Sequence, residues 1–125
     1  MTKGFVLEGF KPVLAVEFDR AAASTYAMNF GEDHTFFGDI ADLPDESIPS
    51  ADIVIGGPPC QGFSNLGSKD VNDPRNKLWK EYLRVVSVAK PLIFVLENVE
   101  RFSKSTEFQM LLAEEPQRTL AELAA

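Results

Sequence analysis

Asp52-Ile53-Val54-Ile55-Gly56-Gly57-Pro58-Pro59-Cys60 is the stretch on which the fold turns. Asp52-Ile53-Val54-Ile55 reads as a strand, and its unbroken apolar run Ile53-Val54-Ile55 marks it as buried on both faces. Gly-Gly-Pro-Pro stops it, because proline has no N–H to give to a sheet and fixes its own φ. Cys60 thus follows a rigid turn at the carboxyl end of a strand.

Upstream, Val13-Leu14-Ala15-Val16 reads as another buried strand, ending in Glu17. Asp19 is placed to cap a helix over Arg20 to Asn29, and Gly31 to end it. Thr35-Phe36-Phe37 is a brief second strand, ending at Gly38-Asp39, and residues 42–50 form a turn-rich connection with Pro44 and Pro49. Downstream, residues 60–76 carry no apolar period and read as a long loop, a length often functional. Asn76 is placed to cap a helix in which Leu78, Trp79, Tyr82, Leu83, Val86 and Ala89 recur at helical spacing. Pro91 to Leu96 is a fourth strand, wholly apolar, and a last helical stretch is expected from about Glu107, broken or restarted at Pro116. Strands alternating with helices predict an α/β fold with one parallel sheet covered on both faces.

Composition narrows the function classes. The chain has 125 residues, 45% hydrophobic and 25% charged, which suits one domain or part of one and excludes a disordered tail. Its longest apolar run, Pro91 to Leu96, is six residues, against roughly 20 for a membrane span, so no membrane partner is expected. There is one cysteine and one histidine, His34, which reads as a surface residue of a polar turn. They exclude an internal disulfide, a cysteine-built zinc site and a two-histidine metal motif, and a reducing cytoplasm is the expected location. The net charge of −7 argues against a chain-wide nucleic-acid surface. Residues 69–104 nevertheless hold eight of the twelve basic residues and sum to +3, a pattern that a solvated helix face with its loops also produces.

In parallel sheets ligands gather at the carboxyl ends of the strands. All four predicted ends carry polar or reactive groups. Glu17 is placed either to accept ribose hydroxyls or to serve as a helix-start acid, and Asp39 either to accept an adenine amino group or to cap a turn. Cys60 is either a nucleophile, whose thiolate nearby donors favour, or a buried small hydrophobe; its neighbours Gln61, Ser64 and Asn65 argue against burial. Glu97 follows an apolar strand, where a carboxyl group either stays protonated and donates or caps the next helix. A thiol beside a carboxylic acid suits one problem, the unreactive carbon 5 of cytosine. Thiolate addition at carbon 6, with protonation at nitrogen 3, makes carbon 5 enamine-like and able to take an electrophilic methyl group.

Gly57-Pro58-Pro59-Cys60-Gln61-Gly62-Phe63-Ser64 resembles the catalytic motif of the C5-cytosine DNA methyltransferases. Glu97-Asn98-Val99 resembles their acid motif at the expected distance, and Asp73 to Tyr82 is similar to the segment between. Amino-directed methyltransferases place Asp or Asn before Pro-Pro and an aromatic after it, unlike the Gly and Cys60 here. The resemblance covers residues 4 to about 113 and implies a Rossmann-like methyltransferase fold, S-adenosyl-L-methionine as donor and double-stranded DNA with a flipped cytosine as substrate. It implies Cys60 as nucleophile and Glu97 as the acid at nitrogen 3. It further implies Glu17 on the donor ribose, Phe18 on adenine, Asp39 and Ile40 at the adenine edge, and Pro58 and Leu78 lining the donor pocket. The loop from Gln61 to Asn76 would close over the DNA.

Several family parts have no match here. The first strand with its Phe-x-Gly-x-Gly loop is absent, and Gly4 to Phe10 is similar to the helix tail that follows it. The later Gln-x-Arg-x-Arg motif, the target-recognition region and the closing helix and strand are also absent. Residues 1–125 are therefore expected to be a partial catalytic domain, of little activity alone, from the modification half of a bacterial restriction–modification system. Two other readings remain open. One is a non-enzymatic remnant or split half that pairs with a complementing subunit, or with itself, through an incomplete sheet. The other keeps the chemistry on tRNA cytosine.

Overall fold

The computed structural model describes residues 1–58, 78–104 and 108–109. Helix α1 (Thr2–Leu7) leads to strand β1 (Ala15–Glu17), helix α2 (Arg20–Phe30) and strand β2 (Thr35–Phe37). Two 3₁₀ turns, Ile40–Asp42 and Asp45–Ser47, precede β3 (Ile53–Gly56); helix α3 (Leu78–Ala89), β4 (Ile93–Leu96) and a 3₁₀ turn at Glu100–Lys104 follow. The predicted Asn76 cap and the helix from Glu107 past Pro116 fall outside or almost wholly outside the described residues.

The strands are parallel, as their apolar character predicts, but they do not form one sheet. β1 pairs with β2 from Ala15↔Thr35 to Glu17↔Phe37, and β3 pairs with β4 from Ile53↔Ile93 to Gly56↔Leu96. Among the described residues no strand lies between β1 and β3 to bond both, and a cavity of about 870 Å³ separates them. The expected cover on both faces is also incomplete. Along β4, Ile93 and Val95 are exposed while Phe94 and Leu96 are half-buried. α3 lies on the Phe94 side, where Tyr82 meets the Phe94 ring edge-on. An apolar strand reads as buried from sequence; only its neighbours decide whether it is.

The helices end where local chemistry places them. The Asp19 carboxylate accepts from Ala22 N at 2.8 Å and starts α2. Gly31, at φ 118, closes it with its N–H on Ala27 O. α3 buries Trp79, Tyr82, Val86 and Ala89, one stripe at helical spacing. It ends at Lys90, a left-handed residue at φ 50, and Pro91 prevents continuation. His34 departs from the surface reading: its side chain is only 12% exposed and sits edge-on to Tyr26.

The connection between β2 and β3 supplies the core. Leu43 and Ile48 are 3% and 7% exposed and cluster with Ala89. Leu14, Val16 and Phe36 of the first half pack on this cluster together with Val54 of β3 and Val85 and Val88 of α3. Each large apolar side chain buried in this way contributes about 1.5–3 kcal/mol.

Tyr82 fixes α3 to the second sheet. Its hydroxyl donates to Val95 O at 3.0 Å and leans on Val54 O at 3.3 Å. A Cβ at Gly56 would stand 2.6 Å from Tyr82 Cε2, so the ring packs against bare backbone. Gly56→Ala is expected to cost about 1–3 kcal/mol of unfolding free energy, by urea titration. Burial pushes the Tyr82 phenol up from 10.0 to about 12. Folding favours the neutral phenol, so its contribution is full below pH 10 and is lost as pH rises towards about 12. Melting of the Tyr82→Phe variant should lack that component across the same window. Lys90→Gly relieves a left-handed side chain and should stabilise by about 1 kcal/mol in the same titration.

Candidate active site

The cavity is lined along the whole of β1 and β3, from Val13 to Phe18 and from Ser50 to Pro58, so it includes the carboxyl ends of both strands. It brings together five of the residues that the sequence singled out: Glu17, Phe18, Ile40, Pro58 and Leu78. Glu17 ends β1, and one of its oxygens accepts from Asp19 N at 3.0 Å. Phe18, the next residue, is 74% exposed, so its ring is open to a stacking partner. Ile40 opens the first 3₁₀ turn, and Leu78 opens α3. Asp39 does not line the cavity; its carboxylate accepts from Ala41 N at 2.9 Å and caps that turn. The capping role held open for Asp39 is thus present in the structure.

The fit to a nucleoside-bearing donor is good on this geometry. The volume lies within the range of small-molecule sites, and the lining joins the carboxylates of Glu17 and Asp52 and the amine of Lys11 to apolar and aromatic surfaces. Thr2, Phe5 and Val6 of α1 also line it, as does Tyr82. The sequence marked residues 4–10 as a helix tail but gave no sign that this helix walls the cavity.

The second part of the site lies where β3 and β4 end side by side. Glu97 N donates to Gly56 O at 2.8 Å, continuing the ladder by one bond. Asn98 Nδ2 then donates to Pro58 O at 3.0 Å, while Asn98 Oδ1 accepts from Val99 N at 2.9 Å. These two partners set the amide orientation, since a carbonyl needs the NH₂ and an N–H needs the oxygen. A side chain thereby holds a segment whose prolines cannot extend a ladder. Sequence reasoning gave Asn98 no such task; its signal was an amide residue following the strand that neighbours the proline pair. A Cβ at Gly57 would lie 3.2 Å from Glu97 Oε2, so the carboxylate rests directly over that glycine. Glu97 is exposed among the described residues, and the apolar wall expected around it is not found there.

Cys60, Pro59 and the loop from Gln61 to Asn76 lie outside the described residues. Among the described residues no group of three His, Cys, Asp or Glu is arranged to hold a metal ion, and no helix is long and apolar enough to cross a membrane.

Residues 1–115 match the family described as C-5 cytosine-specific DNA methylase. The chain is 41% identical to the Type II methyltransferase M1.HphI of Haemophilus parahaemolyticus, over 78% of this chain and 29% of that protein. It is 42% identical to the Type II methyltransferase M.DdeI of Desulfomicrobium norvegicum, over 77% of this chain and 24% of that protein. It is 37% identical to the Type II methyltransferase M.AquIA of a Picosynechococcus strain, over 94% of this chain and 52% of that protein. The chain thus spans between about a quarter and a half of the length of these relatives. With 115 of its residues matched to one family, this chain belongs to the C-5 cytosine-specific DNA methylases.

Proposed function

We propose that the chain carries the donor-binding and catalytic motifs of an enzyme that methylates carbon 5 of cytosine in DNA, the cytoplasmic modification partner in a bacterial restriction–modification system. The Type II methyltransferase names of its relatives support the substrate class. The observation that carries the reading is the docking of the two motifs. Glu97 rests over Gly57, and Asn98 holds Pro58 O, two residues before Cys60.

In this reading Glu17 takes the ribose, Phe18 and Ile40 flank the adenine with Asp39 at its edge, and Pro58 and Leu78 close the pocket. S-adenosyl-L-methionine, when bound, would supply a methyl group carried on a sulfonium sulfur, whose S–C bond would break as carbon 5 takes the methyl and leave a neutral thioether. The Cys60 thiolate adds to carbon 6 of a cytosine flipped from the duplex while Glu97 delivers a proton to nitrogen 3. Carbon 5 gains enamine character and becomes the nucleophile. Once it is methylated, loss of its proton re-forms the double bond and expels the thiolate, and nitrogen 3 gives its proton back.

A second reading is favoured by one observation. Among the described residues β1 and β3, which both line the cavity, each have one ladder neighbour and an edge without one. Such edges accept a further strand, so the chain would be a split half completed by a partner polypeptide or a second copy. Sedimentation at high concentration tests self-pairing, and mixing with the products of adjacent reading frames tests a partner. A monomer under both conditions counts against this reading.

The leading reading is tested by transfer of labelled methyl groups to DNA in the full-length polypeptide that carries this chain. Cys60→Ser is expected to lower the rate by about 10⁴ or more, and Glu97→Gln by about 10²–10⁴. Cys60→Ser at the wild-type rate would remove the assigned mechanism.

A further inference from the structure

Arg84 is absent from every motif considered above, yet it joins two walls of the donor cavity. Its guanidinium meets three partners. Nε donates to Glu81 at 2.7 Å, one turn earlier on α3; Nη1 binds the Asp45 carboxylate; Nη2 donates to Ile40 O at 2.8 Å. Asp45 and Ile40 both lie in the connection between β2 and β3, 39 and 44 residues away in sequence. Ile40 O also accepts from Leu43 N at 3.2 Å, so one carbonyl closes the 3₁₀ turn and receives the arginine.

The turn from Asp39 to Asp42 is shaped locally by the Asp39 cap. Its place on the body is set by two contacts of different kinds. Leu43 is buried on one side, and Arg84 grips the Ile40 carbonyl on the other. Arg84 sits on the helix that begins with Leu78, so it ties the Ile40 wall of the cavity to the Leu78 wall. The planar fork permits this, because its donors diverge in fixed directions and satisfy three groups at once. The Glu81 carboxylate, and after it Asp45, holds the guanidinium firmly in its charged form. The Asp45 carboxylate is 61% exposed, and ion pairs so exposed contribute little energy.

We infer that Arg84 is a positioning residue for donor binding: from α3 it fixes the turn that presents Ile40 to the donor cavity. The inference rests on the donor-site reading proposed above. It assigns the effect to the Ile40 carbonyl and not to the ion pair with Asp45.

Equilibrium dialysis of the full-length polypeptide that carries this chain against labelled S-adenosyl-L-methionine and against adenosine tests it. Arg84→Met is expected to weaken both probes by about five-fold or more, the scale of one lost hydrogen bond to a charged donor. Asp45→Asn, which keeps the Ile40 bond, is expected to weaken them by less than that. A merely structural clamp would move both variants together. Arg84→Lys keeps the charge and gives up the fork; it carries the same expectation and takes over the test if Arg84→Met does not fold. The inference is overturned if the arginine variant stays within about five-fold of wild type, or if Asp45→Asn loses as much. If the wild-type polypeptide binds neither probe, the donor-site reading itself fails and the inference falls with it. Wild-type binding with an unchanged arginine variant sinks the inference alone.

Discussion

The fold depends on removing Leu43 and Ile48 from water. Both come from the segment that crosses between the two sheets, and their cluster takes in Val16 and Phe36 from one sheet and Val54 from the other. A two-stranded sheet is marginal by itself, since one ladder leaves both outer edges unpaired and too little apolar area covered. The shared plug gives each half a face to bury against, and Ala89 with Val85 and Val88 adds α3 to the same cluster. The Arg84 fork works on the outer side of the same connection. One connection is thus held by apolar burial within and by charge-assisted hydrogen bonds without.

That arrangement has a geometric consequence for the site. With the halves joined through the plug and not through a common ladder, β1 and β3 stand on opposite walls of a cavity. The cavity lining takes in Glu17 from the end of β1 and Gly57 and Pro58 just past the end of β3. The second sheet then sets the acid beside the proline turn by register alone. Gly56 pairs with Leu96, so the next residues on each strand, Gly57 and Glu97, must meet. Glycine at 57 leaves the carboxylate its place, and glycine at 56 leaves Tyr82 its own.

Much of this was legible in local sequence. The run at 35–37 became a strand, and the one expected at 52–55 formed one residue later at Ile53–Gly56, because β-branched and aromatic residues suit a pleated surface and glycine or proline interrupts them. Asp19 and Gly31 bounded α2 because a cap and a left-handed stop act within a few residues. The first strand was placed too early, at Val13 and Leu14, since apolar character alone does not say which residues find a ladder partner. The turn-rich segment 42–50 was read for its prolines and acids, and the burial of Leu43 and Ile48 was missed. Two isolated apolar residues carry no period, so nothing local marks them as core.

The sequence by itself determined the identity of the elements, their parallel sense and the chemistry gathered at the strand ends, with Glu97-Asn98-Val99 paired to the Gly-Pro-Pro-Cys stretch in a recognisable order. These features depend on interactions within a few residues or on motif spacing, and both are written along the chain. Tertiary structure alone decided that the strands form two sheets, that Asn98 holds Pro58, that Arg84 reaches Ile40 and that Asp39 turns to cap its own turn. Those contacts join groups far apart in sequence, or choose between equal local options. Such choices are settled by which backbone groups still lack partners once the apolar core has closed.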